Sequence, residues 1–193
     1  MKDKDFSEYG SSNTVRGIPR SHWKCHLYNF HNPKPKLVEG VDKLMSEWQS
    51  GHIPAPKLIL TGQQGRGKTH IAVGVYRHAV YEKDLSQCAY MYVPDFCKEV
   101  KRGYSGNEDL FLDIEPKSLV VLDDIFGMDM SEHDINNIIA RLITTSYNNN
   151  QALVVTSHYT IKGISEILHP HELSRLFQNS FHVELKSNKD QRL

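Results

Sequence analysis

Residues 62–69 read Gly-Gln-Gln-Gly-Arg-Gly-Lys-Thr and satisfy the pattern G-x-x-x-x-G-K-[ST] at every defined position. No other stretch constrains the fold so tightly, because this loop works only between a strand and a helix. Its glycines let consecutive backbone N–H groups curl around a phosphate. The helix that follows points the positive end of its dipole at the same anion. Lys68 then bridges the β- and γ-phosphates, and the Thr69 hydroxyl is placed for Mg²⁺. From average composition, the pattern arises by chance in a chain of this length roughly once in a hundred. Its surroundings agree: Leu58-Ile59-Leu60 is an apolar strand candidate, and Thr69 to Tyr81 reads as a helix.

The rest of the chain alternates in the same way. Leu37, Val38, Val41, Leu44, Met45 and Trp48 have helical spacing, and Gly51, Pro54 and Pro56 end that helix. Further strands are expected at Ala89–Val93, Leu119–Leu122, Ala152–Thr156 and Phe181–Leu185. Helices are expected at Asp95–Arg102, Ser131–Tyr147, Ser165–Leu168 and Glu172–Gln178, with Glu132 or Asp134 suiting the positive end of the long one. Gly103 to Asn107 is a turn-rich break. Continuous apolar strands separated by helices predict an α/β fold, a parallel sheet covered on both faces. Residues 1–20 read as a flexible arm, and residues 21–193 as one ATPase domain.

A second motif lies about 55 residues after the loop, where the apolar run ending at Leu122 meets Asp123-Asp124. In a P-loop ATPase the first acid, Asp123, holds Mg²⁺ together with Thr69. The second, Asp124, can polarise the attacking water. Asp is one methylene shorter than the usual Glu, which predicts slow hydrolysis. After the next strand, Ser157 or His158 is the candidate for contacting the γ-phosphate or its water, the alternative being a loop hydroxyl or N-cap. Arg175, in a short helix before the last strand, can reach a neighbouring subunit's ATP and stabilise transition-state charge. Its alternative role is a surface salt bridge.

Composition narrows the remaining classes. The 193 residues carry 23 Lys+Arg against 23 Asp+Glu, so no broadly basic surface is advertised. No apolar run approaches the ~18–20 residues of a membrane helix, and Met1 to Asn13 lacks the apolar core of a secretory signal. Cys25, Cys88 and Cys97 are scattered and odd in number, which favours reduced thiols and a cytoplasmic setting. Cys25, His26 and His31 do not make a four-ligand zinc site.

Together these motifs resemble the DnaC/IstB group of AAA+ ATPases, the replicative-helicase loaders and transposase helper ATPases, over roughly residues 17–192. Gly17-Ile18-Pro19 and Cys25-His26-Leu27-Tyr28-Asn29-Phe30 look like the segment that leads into that family's ATPase core. Gly67-Lys68-Thr69-His70-Ile71-Ala72 matches its loop and helix start, and Val121-Leu122-Asp123-Asp124-Ile125 its double-acid motif. Thr156-Ser157-His158 stands where the family usually has Thr-Ser-Asn. Ser174-Arg175-Leu176 matches the arginine-finger position, and Arg192 falls near a terminal arginine.

The resemblance implies a five-stranded AAA+ P-loop fold sandwiched by helices, without a large C-terminal lid domain. ATP and Mg²⁺ would be bound by Gly62, Gln63, Gln64, Gly65, Arg66, Gly67, Lys68, Thr69 and His70, with the adenine near residues 17–30. Catalysis would fall to Asp124, His158 and, in trans, Arg175, within an ATP-dependent homo-oligomer. The implied partners are single-stranded DNA and a replicative helicase. A duplex-binding transposition helper and an ATP-gated interaction protein with little hydrolysis are the alternatives. Lys98, Lys101, Arg102 and Tyr104 could meet a stacked single strand. Against that, residues 95–117 hold four basic and six acidic side chains.

Overall fold

A computed structural model describes residues 18–31, 33–102, 111–127 and 130–186. Gly17, Tyr104, Arg192 and the turn-rich break at 103–107 lie outside the described residues, as does residues 1–17 of the expected arm. Within the remainder of that arm Ile18 is buried, and Trp23 Nε1 donates to its carbonyl at 3.1 Å.

The strands are β1 (Lys57–Thr61), β2 (Cys88–Tyr92), β3 (Leu119–Asp123), β4 (Ala152–Ser157) and β5 (Ser180–Glu184). They form one sheet in the order β2-β3-β4-β1-β5, and every pairing is parallel. The helices are α1 (Pro35–Gln49), α2 (Lys68–Glu82), α3 (Val93–Arg102), α4 (Ala140–Asn148), α5 (Ile161–Ile167) and α6 (Pro170–Phe177). The protein is thus an α/β sandwich on a five-stranded parallel sheet, as expected, and no large lid domain follows β5 among the described residues.

Alternate residues of a strand face opposite sides of a sheet, and two hydrophobic layers follow from that. Leu58, Leu60, Tyr90, Leu119, Val121 and Val154 pack with α1 and α2 on one face. Ile59, Met91, Val120, Leu122, Leu153 and Val155 pack on the other, where Phe96 of α3, Leu142 of α4, Ile164 of α5 and Leu176 of α6 cover them. Each such side chain contributes about 1.5–3 kcal/mol when fully buried. The strands β1, β3 and β4 are buried throughout, whereas β5, at an edge, is only partly so. All three cysteines are free and buried, and burial pushes the Cys88 and Cys97 thiols up to about 12.

Two helices differ from the sequence expectation. The long helix does not run as regular α-helix from Ser131: Asp134–Ile139 is a π-helical stretch leading into α4. Asp134 lies at the start of that stretch, and its Oδ2 accepts from Ser131 N (2.8 Å), Ser131 Oγ (2.9 Å) and Lys101 Nζ (2.7 Å). Ser131 Oγ in turn accepts from Asp134 N at 3.3 Å, a reciprocal cap at the helix start. α5 begins at Ile161 rather than Ser165, because Thr160 Oγ1 accepts from Gly163 N and caps the first turn.

Candidate nucleotide site

In this sheet β4 lies between β3 and β1, so the segments following these three strands meet at one edge. Register makes the meeting close: Thr61 pairs with Ser157, and Leu122 with Val155. Residues 62–69, 123–124 and 156–158 are thereby gathered from three distant parts of the chain.

The loop is built on positive φ angles at Gly62 (134°), Gly65 (73°) and Gly67 (84°). At Gly67 a side chain is excluded twice over, by φ and by the Phe30 ring 2.5 Å from where a Cβ would stand. Gly67 is the N-cap of α2, so the first-turn N–H groups, which lack intrahelical partners by geometry, belong to Lys68, Thr69 and His70. Lys68 is buried inside the loop, and its Nζ donates to Gly62 O at 2.7 Å and Gln63 O at 2.9 Å. Gln63 and Gln64 are exposed, and Arg66 Nη2 donates to Gln63 Oε1 at 3.3 Å.

Across the edge, Thr69 Oγ1 donates to Asp123 Oδ1 at 3.3 Å. Asp123 is almost wholly buried, yet both its oxygens are engaged. Oδ1 also accepts from Thr156 Oγ1 at 2.6 Å, and Oδ2 accepts from Tyr90 OH at 2.7 Å. Burial pushes the Asp123 carboxyl above its usual range; the bonds from Thr156, Tyr90 and Thr69 oppose that shift, and neighbouring Asp124 adds to it.

Asp124 turns out of the strand with φ of 57°, its N–H donating to Thr156 Oγ1 at 2.8 Å. His158 Nδ1 stands 3.5 Å from Asp124 Oδ1, a long contact. Ser157 instead accepts from Tyr159 N at 3.1 Å and is fully buried. Of the two sensor candidates, His158 is therefore the one beside the acids.

The segment before α1 packs on the loop and α2. His70 Nε2 lies 3.0 Å from His26 O and 2.9 Å from Asn29 Oδ1, and Gly74 faces the Leu27 backbone. Burial lowers the His70 imidazole below its ordinary range, opposed by the bond to His26 O.

Arg175 is not brought to this edge. It sits near the end of α6, which leads into β5, and β5 opens with Ser180 opposite Lys57, the first residue of β1. The guanidinium donates to Thr144 Oγ1 at 2.6 Å and lies over the Tyr147 ring at 5.2 Å. The cations proposed for DNA are partly neutralised within the chain. Lys98 pairs with Asp95 at 2.9 Å and Lys101 with Asp134 at 2.7 Å.

The donor set suits Mg²⁺, a hard cation that takes oxygen ligands from one or two protein groups plus phosphates. Thr69 and Asp123 present a hydroxyl and a carboxylate to each other across the loop. Among the described residues no cluster of three or more His, Cys, Asp or Glu could hold a metal, and no helix is long and apolar enough to cross a membrane.

A sequence profile described as Novel STAND NTPase 3 matches residues 55–193, which take in the phosphate loop, the double acid, residues 156–158 and Arg175. The chain belongs to the Novel STAND NTPase 3 family. No curated protein matches it by sequence. In three dimensions this family member is similar to the DnaC helicase loader, at 19% identity and a TM-score of 0.72, covering 87% of this chain and all of that one. It is also similar to DnaI (16%, TM-score 0.73, 90% and 94% covered). A third likeness is to the replication initiator DnaA bound to AMPPCP and single-stranded DNA (16%, TM-score 0.67, 91% of this chain and 53% of that one). At these identities the likeness establishes the AAA+ fold of this STAND NTPase.

Sequence reasoning missed Tyr90, which nothing marks within an apolar strand. Thr156 was in view as part of Thr156-Ser157-His158. A polar residue ending a buried apolar run was the signal that it faces something polar.

Proposed function

We propose that the chain binds ATP with Mg²⁺ at residues 62–70, hydrolyses it slowly, and acts in DNA replication in the manner of a helicase loader. The observation that carries the reading is the 3.3 Å contact between Thr69 and Asp123, which joins the phosphate loop to the acid motif. Thr69 and Asp123 would hold Mg²⁺, which would supply positive charge against the phosphates. Lys68 and the first N–H groups of α2 bind and orient the phosphates. Asp124 accepts a hydrogen bond from the attacking water, and His158 steadies the acid from the adjoining strand. The DnaC and DnaI likenesses support the loader reading, and the nucleotide and single-stranded DNA in the DnaA structure support both ligand assignments.

The test is ATP turnover measured with and without single-stranded DNA. Turnover that rises with DNA supports the loader reading. Tight ATP binding with no turnover in either condition sinks it and favours an ATP-gated interaction protein.

Arg175 is assigned the finger role in a neighbouring copy's site, since it faces away from its own loop. Arg175→Ala is expected to leave ATP affinity within about twofold and to lower turnover of the assembled protein by roughly 10³-fold or more. Turnover that is unchanged, at a concentration where sedimentation shows oligomers, would remove the role and leave Arg175 as a clamp between α6 and α4.

A further inference from the structure

The described residues place two buried hydroxyls on the acid that faces Thr69, and neither is required by the packing around it. Tyr90 is 2% exposed and Thr156 1% exposed. Tyr90 stands edge-on to Tyr76 in the layer under α2, where a phenylalanine would fill the same space. Thr156 is the penultimate residue of a buried strand, after Leu153, Val154 and Val155, where a valine would be isosteric. A buried hydroxyl is costly unless hydrogen-bonded, and Asp123 is what each of these donates to.

The direction of the bonds is fixed by valence. The Asp124 N–H can only donate, so Thr156 Oγ1 accepts it and sends its single proton to Asp123 Oδ1. The Tyr90 phenol sends its proton to Oδ2. Asp123 is therefore gripped at both oxygens, with Thr156 also setting the backbone of Asp124. Partners behind a metal ligand that lock its orientation govern metal affinity as strongly as many ligands do.

We infer that Tyr90 and Thr156 are positioning residues that hold the Asp123 carboxylate aimed at the metal paired with Thr69. The inference rests on the nucleotide-site reading above. Neither hydroxyl is expected to touch nucleotide.

The experiment measures how much Mg²⁺ the intact protein needs to bind a fluorescent non-hydrolysable ATP analogue, and separately its affinity for that analogue in EDTA. Tyr90→Phe and Thr156→Val should each need about 10- to 100-fold more Mg²⁺ for half-maximal effect. Affinity in EDTA should stay within about twofold, and Thr156→Ser should restore the wild-type requirement. A wild-type Mg²⁺ requirement in Tyr90→Phe or in Thr156→Val overturns the role of that residue. So does an equal loss in EDTA and in Mg²⁺, which marks a purely structural contribution. If Thr156→Val does not fold, Tyr90→Phe and Thr156→Ser still decide the matter. Wild-type protein that shows no Mg²⁺-dependent binding would instead remove the nucleotide-site reading, an outcome distinct from failure of the variants.

Discussion

Lys68→Ala is expected to abolish nucleotide-dependent function. Lys68 is nine-tenths buried, and its ammonium already points into the loop, held by Gly62 O and Gln63 O. Its position at the centre of the curled backbone is where, on the function proposed above, phosphate oxygens would converge. A hydrogen bond to a charged group is worth about 1.5–3 kcal/mol, so removing this one lowers ATP affinity by roughly ten- to a hundredfold. Turnover falls further, because charge accumulates on the phosphate oxygens during transfer. Binding of a fluorescent ATP analogue and turnover, each compared with wild type, measure the two losses. A thermal melt of the same preparation separates loss of the site from loss of the fold. Nucleotide-dependent activity that survives in Lys68→Ala would mean that the site lies elsewhere.

The second large effect is on stability. Gly62→Ala is expected to destabilise the fold by roughly 3 kcal/mol, combining about 1–2 for the left-handed backbone with about 1–3 for overpacking. Gly62 has φ of 134°, and a Cβ there would stand 2.5 Å from the Leu185 carbonyl oxygen. That carbonyl cannot retreat freely, since Leu185 N donates to Thr61 O at 2.8 Å and secures the chain beside β1. Gly51 supplies the control: its φ is 68°, and nothing lies within 4 Å of an added Cβ. Gly51→Ala should cost only about 1–2 kcal/mol. In a domain of this size the Gly62 variant should melt roughly 6–12 °C below wild type. Equal losses at the two positions would show that the Leu185 contact is irrelevant.

Much of this architecture was legible because its signals are local. A complete loop motif between an apolar strand and a helix leaves little freedom, and the acids after Leu122 stand at the end of a run too apolar to be anything but a buried strand. The parallel sheet followed from strands without alternation. What was not legible depends on side chains meeting across the sheet. Tyr90 is an unremarkable strand residue until β2 is laid beside β3, where its hydroxyl reaches Asp123 from the adjoining strand. The roles of Ser157 and His158 could not be told apart from their order alone. Strand geometry separates their positions, turning Ser157 inward to Tyr159 N and leaving His158 beside the acids. The π-helical stretch at Asp134–Ile139 was equally hidden, since Asp134 draws Lys101 from α3, thirty-three residues earlier.

The strand order also bears on when the site comes into being. The loop follows β1, the first strand among the described residues, but the neighbours of β1 begin only at Ala152 and Ser180. Pairings between such distant segments form slowly, because chain closure must precede the contacts that reward it. A nascent chain that has not yet produced Leu185 carries the whole phosphate-binding motif without the strand that braces Gly62. On the function proposed above, ATP would be a ligand of the finished fold, and by mass action it would stabilise that fold against every partly made one.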